Sequence, residues 1–161
     1  LIAAAFGALP ARELVIIGEG PERPRVEAAA GANVRMLGHL PDAERNQWLR
    51  RARAFIFAAD EDFGIAPVEA QACGTPVIGY GVGGTLETVR GLSDASPTGV
   101  FYDRQSCDAI AAAVRTFEAN EARFSSESCR RNAERFSSER FRREFAAKVE
   151  AEWNRFEATS R

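Results

Sequence analysis

A chain of 161 residues, 45% hydrophobic and 27% charged, is long enough to bury a core and falls in the ordinary range of a single globular domain. A formal net charge of -2 argues against nucleic acid as a partner, and no apolar run reaches the roughly 20 residues of a membrane-spanning helix. The opening Leu1-Ile-Ala-Ala-Ala lacks the charged flank and cleavage pattern of a signal peptide, and the cysteines, Cys73, Cys107 and Cys129, are odd in number and far apart with no metal or redox motif, which points to a reducing cytoplasm.

Along the chain, strand-like and helix-like runs alternate, the pattern of a parallel sheet wrapped by helices. Strands are predicted at 13–17, 34–37, 54–58, 76–79 and 99–102, and helices near 22–30, 42–51, 67–73, 85–90 and 106–121. His39, the single histidine, follows Gly38 beyond the second strand, a place that suits a structural or base-contacting role better than proton transfer. Cys73 reads as a small core residue and Thr75-Pro76 as a helix stop. Gly83-Gly84 and Glu87 read as a turn and a helix start, with structural duty ahead of ligand contact, and 91–98, with its Ser, Asp and Pro, reads as a surface loop. No repeat or low-complexity segment is visible. After residue 121 the character changes: arginines cluster between 130 and 143, and Phe141, Phe145, Val149, Trp153 and Phe156 recur at helical spacing to form an apolar stripe.

The most informative stretch is Glu61-Asp-Phe-Gly-Ile-Ala-Pro-Val-Glu69, which places two carboxylates eight positions apart between a strand and a helix. In open α/β sheets the carboxyl end of a strand is where ligands bind, beside a helix N-terminus whose free amides attract phosphate. Gly64 allows close backbone approach, and Pro67 is expected at the first helical position, which puts Glu69 in the first turn. A carboxylate there is able to accept two hydrogen bonds from a vicinal diol such as a ribose, and Glu61 to accept from sugar hydroxyls. The same pair also fits a Glu69 that caps its own helix and a solvated Glu61 beside Asp60 and Asp62.

The segment resembles the E-x7-E signature of the retaining glycosyltransferases of family 4, with Ala70-Gln-Ala-Cys-Gly-Thr-Pro-Val-Ile78 and Gly83-Gly84-Thr-Leu-Glu87 following in the family's order and only Asp62 departing from its usual glycine. Upstream, Leu14-Val-Ile-Ile-Gly-Glu-Gly-Pro21 and Asn33-Val-Arg-Met-Leu-Gly-His-Leu-Pro41 resemble the family's glycine-rich turn and base-flanking loop, so the likeness runs from Ala3 to about Glu118. It implies an α/β fold, a Rossmann-like parallel sheet with helices on both faces that forms the C-terminal half of the two-domain GT-B fold, with extra C-terminal helices. Residues 1–121 are then the nucleotide-sugar-binding domain, 122–161 its helical extension, and the N-terminal acceptor domain is absent.

Carried over onto matching positions, the resemblance makes Glu61 the catalytic carboxylate at the donor sugar and Glu69 the ligand of the donor ribose. The amides of Phe63, Gly64 and Ile65 would face sugar and diphosphate, and Gly18 would leave room near the phosphates. Transfer would proceed on one face with retention of configuration, with no metal and no cofactor beyond the nucleotide-sugar donor, a GDP-mannose or UDP-sugar. Tyr80-Gly-Val-Gly-Gly84 directs the expectation toward mannosyl transfer in polysaccharide assembly. The family's cationic pair that grips the diphosphate lies just upstream of Leu1, so the chain by itself is expected to be inactive. The acceptor, a glycan or a lipid-linked one, would be recognised by the missing domain at the inner face of the membrane, and oligomeric state is open. The C-terminal stripe is expected to pack on the sheet domain or cross toward the absent one. Peripheral contact with an anionic membrane is the second reading, weakened by Glu134, Glu139, Glu144 and Glu150. The alternatives are a non-catalytic sugar-nucleotide-binding module of the same fold and, behind it, another GT-B enzyme such as an epimerase or phosphorylase.

Overall fold

The computed structural model describes residues 1–159. Strand β1 (Leu14–Ile17) pairs in parallel with β2 (Val34–Gly38), Leu14 opposite Val34 and Ile16 opposite Met36, with a local irregularity that sets Ile17 opposite Gly38. A second parallel sheet holds β3 (Phe55–Phe57), β4 (Val77–Tyr80) and β5 (Gly99–Tyr102) with β4 in the middle, Phe55 opposite Val77 and Val77 opposite Gly99. Parallel neighbours need crossover connections. Helices supply them: α2 (Arg23–Ala29), α3 (Asp42–Arg51), α4 (Ile65–Ala72) and α5 (Gly84–Thr88) link the strands in turn, α1 (Ile2–Ala5) precedes β1 and α6 (Cys107–Ala119) follows β5.

The core lies around β4. Val77 and Ile78 are buried on a strand covered on both faces, which is why its apolar residues do not alternate with polar ones. On one face α6 presents Ala109, Ile110, Ala113, Val114 and Phe117 to Ala5, Phe6 and Leu9. Its start is fixed by Ser106, whose Oγ accepts from the Ala109 amide at 3.2 Å, a cap worth about 1 kcal/mol. On the other face Ala70 of α4 packs with Phe57, Val77 and Val89. Tyr102 reaches from β5 to donate to the Phe57 carbonyl at 3.1 Å, and its burial pushes the phenol up to about 12, so it stays a neutral donor.

The predicted strands and helices recur in order, with shifts at their ends. The third strand is confined to Phe55–Phe57, and the helix expected at 67–73 begins at Ile65. The tail holds two helices, α7 (Ser126–Glu134) and α8 (Ser138–Thr159), separated where Phe136 turns its ring edge-on to Phe63 with centroids 5.5 Å apart. α7 packs against α4 and buries Cys129 and Asn132, and burial raises the Cys129 thiol to about 11, which keeps it unreactive. α8 buries none of its described residues, and Phe141, Phe145, Val149, Trp153 and Phe156 all remain exposed along it. No helix of the described residues is long and apolar enough to cross a membrane.

Candidate functional site

The loop from Ala58 to Gly64 leaves the carboxyl end of β3 and turns into α4. Phe57 is buried, whereas Asp60, Glu61, Asp62 and Phe63 are exposed, so the chain surfaces within three residues. Gly64 then adopts φ 79° and ψ 79°, a left-handed conformation that most side chains avoid, and serves as the helix N-cap. This corrects two expectations. Ile65 is the first helical residue and Pro67 the third, a position whose missing N–H still costs nothing because the first four amides of a helix have no partner within it. Glu69 accordingly lies in the second turn, where the helix dipole favours it less, and it makes no capping hydrogen bond. The amides of Phe63, Gly64, Ile65 and Ala66 donate to no acceptor among the described residues. They form the free donor end of α4.

Two devices hold this loop in place. Gly83 and Gly84 press against it: the Gly84 amide donates to the Glu61 carbonyl at 2.8 Å, and a Cβ on Gly84 would come within 2.4 Å of Phe63 Cα. The pair of glycines therefore has the structural duty expected of it, and the duty is specifically to the loop that carries Glu61. From beneath, Asn132 of α7 donates to Gln71 Oε1 at 2.7 Å and to the Thr88 carbonyl at 2.8 Å, while Gln71 Nε2 donates to the Pro67 carbonyl at 3.1 Å and to Thr88 at 2.9 Å. Gln71, Asn132 and Thr88 are all buried, so this network locks α4, α5 and α7 together.

The side chain of Glu61 is exposed and makes no hydrogen bond or ion pair among the described residues. Glu69 is half-buried and lies 3.6 Å from Arg45 of α3, which also pairs with Asp42 at 3.0 Å. The structure thus brings Glu61, Phe63, Gly64, Ile65 and Glu69 into one loop and helix start. Gly18 lies apart from them, at the carboxyl end of β1 in the other sheet, with φ 122°, its amide donating to the Gly38 carbonyl at 2.7 Å and nothing within 4 Å of where a Cβ would stand. His39 is exposed just beyond. Among the described residues, no three His, Cys, Asp or Glu side chains converge as a metal site would require. Sequence reasoning missed Arg45 and the Gln71–Asn132 network. Gln71 carried a faint signal as the one amide in an apolar helix, whereas nothing local marks Arg45 or Asn132, which arrive from other helices. Thr85 Oγ1 and Arg45 Nε are buried beside this region without a partner among the described residues.

A family model described as glycosyl transferases group 1 matches residues 2–136. Among curated proteins, the chain is 46% identical over 71 residues to a phosphatidyl-myo-inositol mannosyltransferase of Propionibacterium freudenreichii, covering 43% of this chain and 17% of that one. It is 33% identical over 130 residues to a GDP-mannose-dependent alpha-(1-6)-phosphatidylinositol dimannoside mannosyltransferase of Mycobacterium tuberculosis, covering 79% and 32%. The chain therefore spans less than a third of the length of these relatives. Among solved structures, sucrose-phosphate synthase from Thermosynechococcus elongatus superposes with TM-score 0.72 at 25% identity over 98% of this chain and 41% of that one. A second, Anabaena HepE crystallised with UDP and glucose, superposes with TM-score 0.70 at 21% identity over 93% and 43%, which speaks to the fold alone. The expected α/β fold of the C-terminal half of GT-B, parallel sheets flanked by helices, is the fold observed.

Proposed function

The chain belongs to the glycosyl transferases group 1 family, and from that premise we propose that it forms the donor-binding half of a retaining hexosyltransferase, with Glu69 accepting from the donor ribose and Glu61 acting at the donor sugar. The observation that carries this reading is the loop of Glu61 to Gly64, clamped by the Gly84 amide and opening onto amides without partners at the start of α4. Free backbone donors at a helix start answer a diphosphate without reorganisation and stabilise charge as it departs. Phe63, Gly64 and Ile65 supply these donors, and Gly18, at the end of β1 in the other sheet, would leave space for phosphate. Arg45 holds Glu69 in place through their 3.6 Å pairing and would yield part of that contact to a ribose diol. The reading calls on no resident cofactor.

Mannose from a GDP-linked donor is the preferred substrate, supported by the mannosyltransferases among the relatives. The structural neighbour crystallised with UDP and glucose keeps a UDP-sugar as the competing donor. The acceptor, a glycan or lipid-linked glycan, would be bound by an N-terminal half of the parent protein, in the cytoplasm at the membrane's inner face.

Calorimetric titration of the parent protein with GDP, GDP-mannose, UDP and UDP-glucose tests this. One nucleotide series is expected to bind, and Glu69→Ala to weaken it by about 1–3 kcal/mol as a hydroxyl pair loses its charged acceptor. Glu61→Gln is expected to remove sugar transfer while leaving the nucleoside diphosphate bound. Binding undisturbed by Glu69→Ala would refute the ribose assignment, and binding without turnover in the unaltered parent would favour the non-catalytic module.

A further inference from the structure

From Ala59 to Phe63 the loop that carries Glu61 has few bonds to the rest of the fold. Among the described residues its backbone makes one hydrogen bond, from the Gly84 amide to the Glu61 carbonyl, and the side chains of Asp60, Glu61 and Asp62 make no hydrogen bond or ion pair. Three exposed carboxylates in a row repel one another and give the loop no anchor. Gly64, which follows, has no Cβ and is the joint about which such a loop would swing. One side chain does reach a partner. Phe63, 42% exposed, meets the half-buried ring of Phe136 with centroids 5.5 Å apart and ring planes at 71°, the edge-to-face arrangement that aromatic quadrupoles favour.

Phe136 is itself held. It lies in the turn between α7 and α8, where its amide donates to the Ala133 carbonyl at 2.9 Å. The Arg135 guanidinium stands over its ring at 5.1 Å from the centroid and donates to Asn132 Oδ1 at 2.8 Å. That is the same buried Asn132 whose amide nitrogen bonds Gln71 and the Thr88 carbonyl. From the far side of the turn, Arg140 of α8 donates to the Arg135 carbonyl at 3.0 Å. The ring of Phe136 is therefore tied to the network that locks α4, α5 and α7, and Phe63 is where the loop touches it.

We propose that Phe136 is a positioning residue for donor binding: by holding the ring of Phe63 it fixes the peptide units of Phe63 and Gly64, so that their amides face the diphosphate before the donor arrives. Gly84 grips the same residue at another point, since a Cβ there would come within 2.4 Å of Phe63 Cα. Contact at the Cα alone leaves the flanking peptide planes free to turn, and a second contact at the ring removes that freedom. Donors fixed in advance stabilise charge without reorganising, whereas a loop ordered only on binding spends part of the affinity on its own ordering. The inference rests on the reading of this loop as the donor site, and it does not depend on which base or sugar the donor carries.

Calorimetric titration of the parent protein and its variants with GDP and with UDP, joined to NMR relaxation of the backbone amides in the ligand-free protein, tests it. Phe136→Ala is expected to weaken nucleoside diphosphate binding on the order of fivefold, the size of a lost aromatic pair, and Phe136→Tyr, which keeps the ring, to restore most of it. In a Phe63→Leu background Phe136→Ala is expected to cost less than about twofold, because the contact through which it acts is already gone. Without ligand, the order parameters of the Phe63 and Gly64 amides are expected to fall in Phe136→Ala from about 0.85 toward about 0.6, while that of Ile78 stays unchanged. Full affinity in Phe136→Ala, an equal loss in both backgrounds, or a loosening that spreads to Ile78 overturns the proposal. If nucleotide binds and the loop stays rigid in Phe136→Ala, the proposal alone fails. If the unaltered protein takes up neither GDP nor UDP while Phe136→Ala still loosens Phe63 and Gly64, the donor reading fails and the proposal falls with it.

Discussion

Strands β4 and β1 are built from the same kind of residue and end in opposite environments. Val-Ile in β4 is shielded by β3 and β5 at its edges and by α4 and α6 on its faces, and Ile78 is 2% exposed, whereas Val15, Ile16 and Ile17 of β1 are only half-buried. An apolar run states that a strand is suited to burial on both faces, and its neighbours decide whether that burial is achieved. The loop that carries the glycosyltransferase signature belongs to the sheet centred on β4, and it is held by Gly84 and by the Asn132 network.

The largest test of this contrast is a pair of truncations. Ile78→Ala is expected to cost about 2–5 kcal/mol in denaturant unfolding and Ile17→Ala distinctly less, because the second removes atoms that water already reaches. Equal costs would erase the difference between the two halves.

Within the closed half, Asn132→Ala leaves Gln71 Oε1 and the Thr88 carbonyl each short of a buried donor. A loss of about 1–3 kcal/mol is expected, and Gln71→Leu in the same background should deepen it, because the buried Thr88 carbonyl then loses its remaining donor. Gly84→Ala, whose Cβ would collide with Phe63 and the Asp62 carbonyl, is expected to destabilise by about 1–3 kcal/mol and to displace the Glu61 loop. Gly18→Ala, with no protein atom within 4 Å of its Cβ, is expected to weaken nucleotide binding by crowding the phosphate, not by displacing the Glu61 loop, with its positive φ adding backbone strain.

The smallest expected effect concerns Glu118 of α6, which pairs with Arg12 and with Arg53. The hydrogen bond from Arg12, followed by that residue's charge and Arg53, holds the Glu118 carboxyl below its ordinary value of 4.5. A carboxylate whose folded value is depressed contributes stability that is present above the unfolded value and is lost as pH falls through the folded one. Unfolding midpoints should therefore decline as pH drops below about 4.5, and Glu118→Gln should flatten that decline while leaving the slope near neutral pH unchanged. An unchanged acid profile would show that these ion pairs contribute nothing in solution, as many exposed ones do not.

The sequence by itself determined the alternation of strands and helices, the buried run at β4, the turn glycines at 64, 83 and 84, and the family, because each rests on local chemistry: apolar periodicity, glycine where the backbone turns, a carboxylate spacing. It placed the start of α4 two residues late, since Pro67 is as acceptable at the third helical position as at the first and only the left-handed Gly64 decides between them. Tertiary structure alone decided that Gly18 and Glu61 lie on different sheets, that Asn132 reaches across from α7 to secure α4, and that a gap separates β1 from β3. Those facts concern which surfaces meet, and a strand's sequence records its appetite for burial but not the identity of the segment that satisfies it.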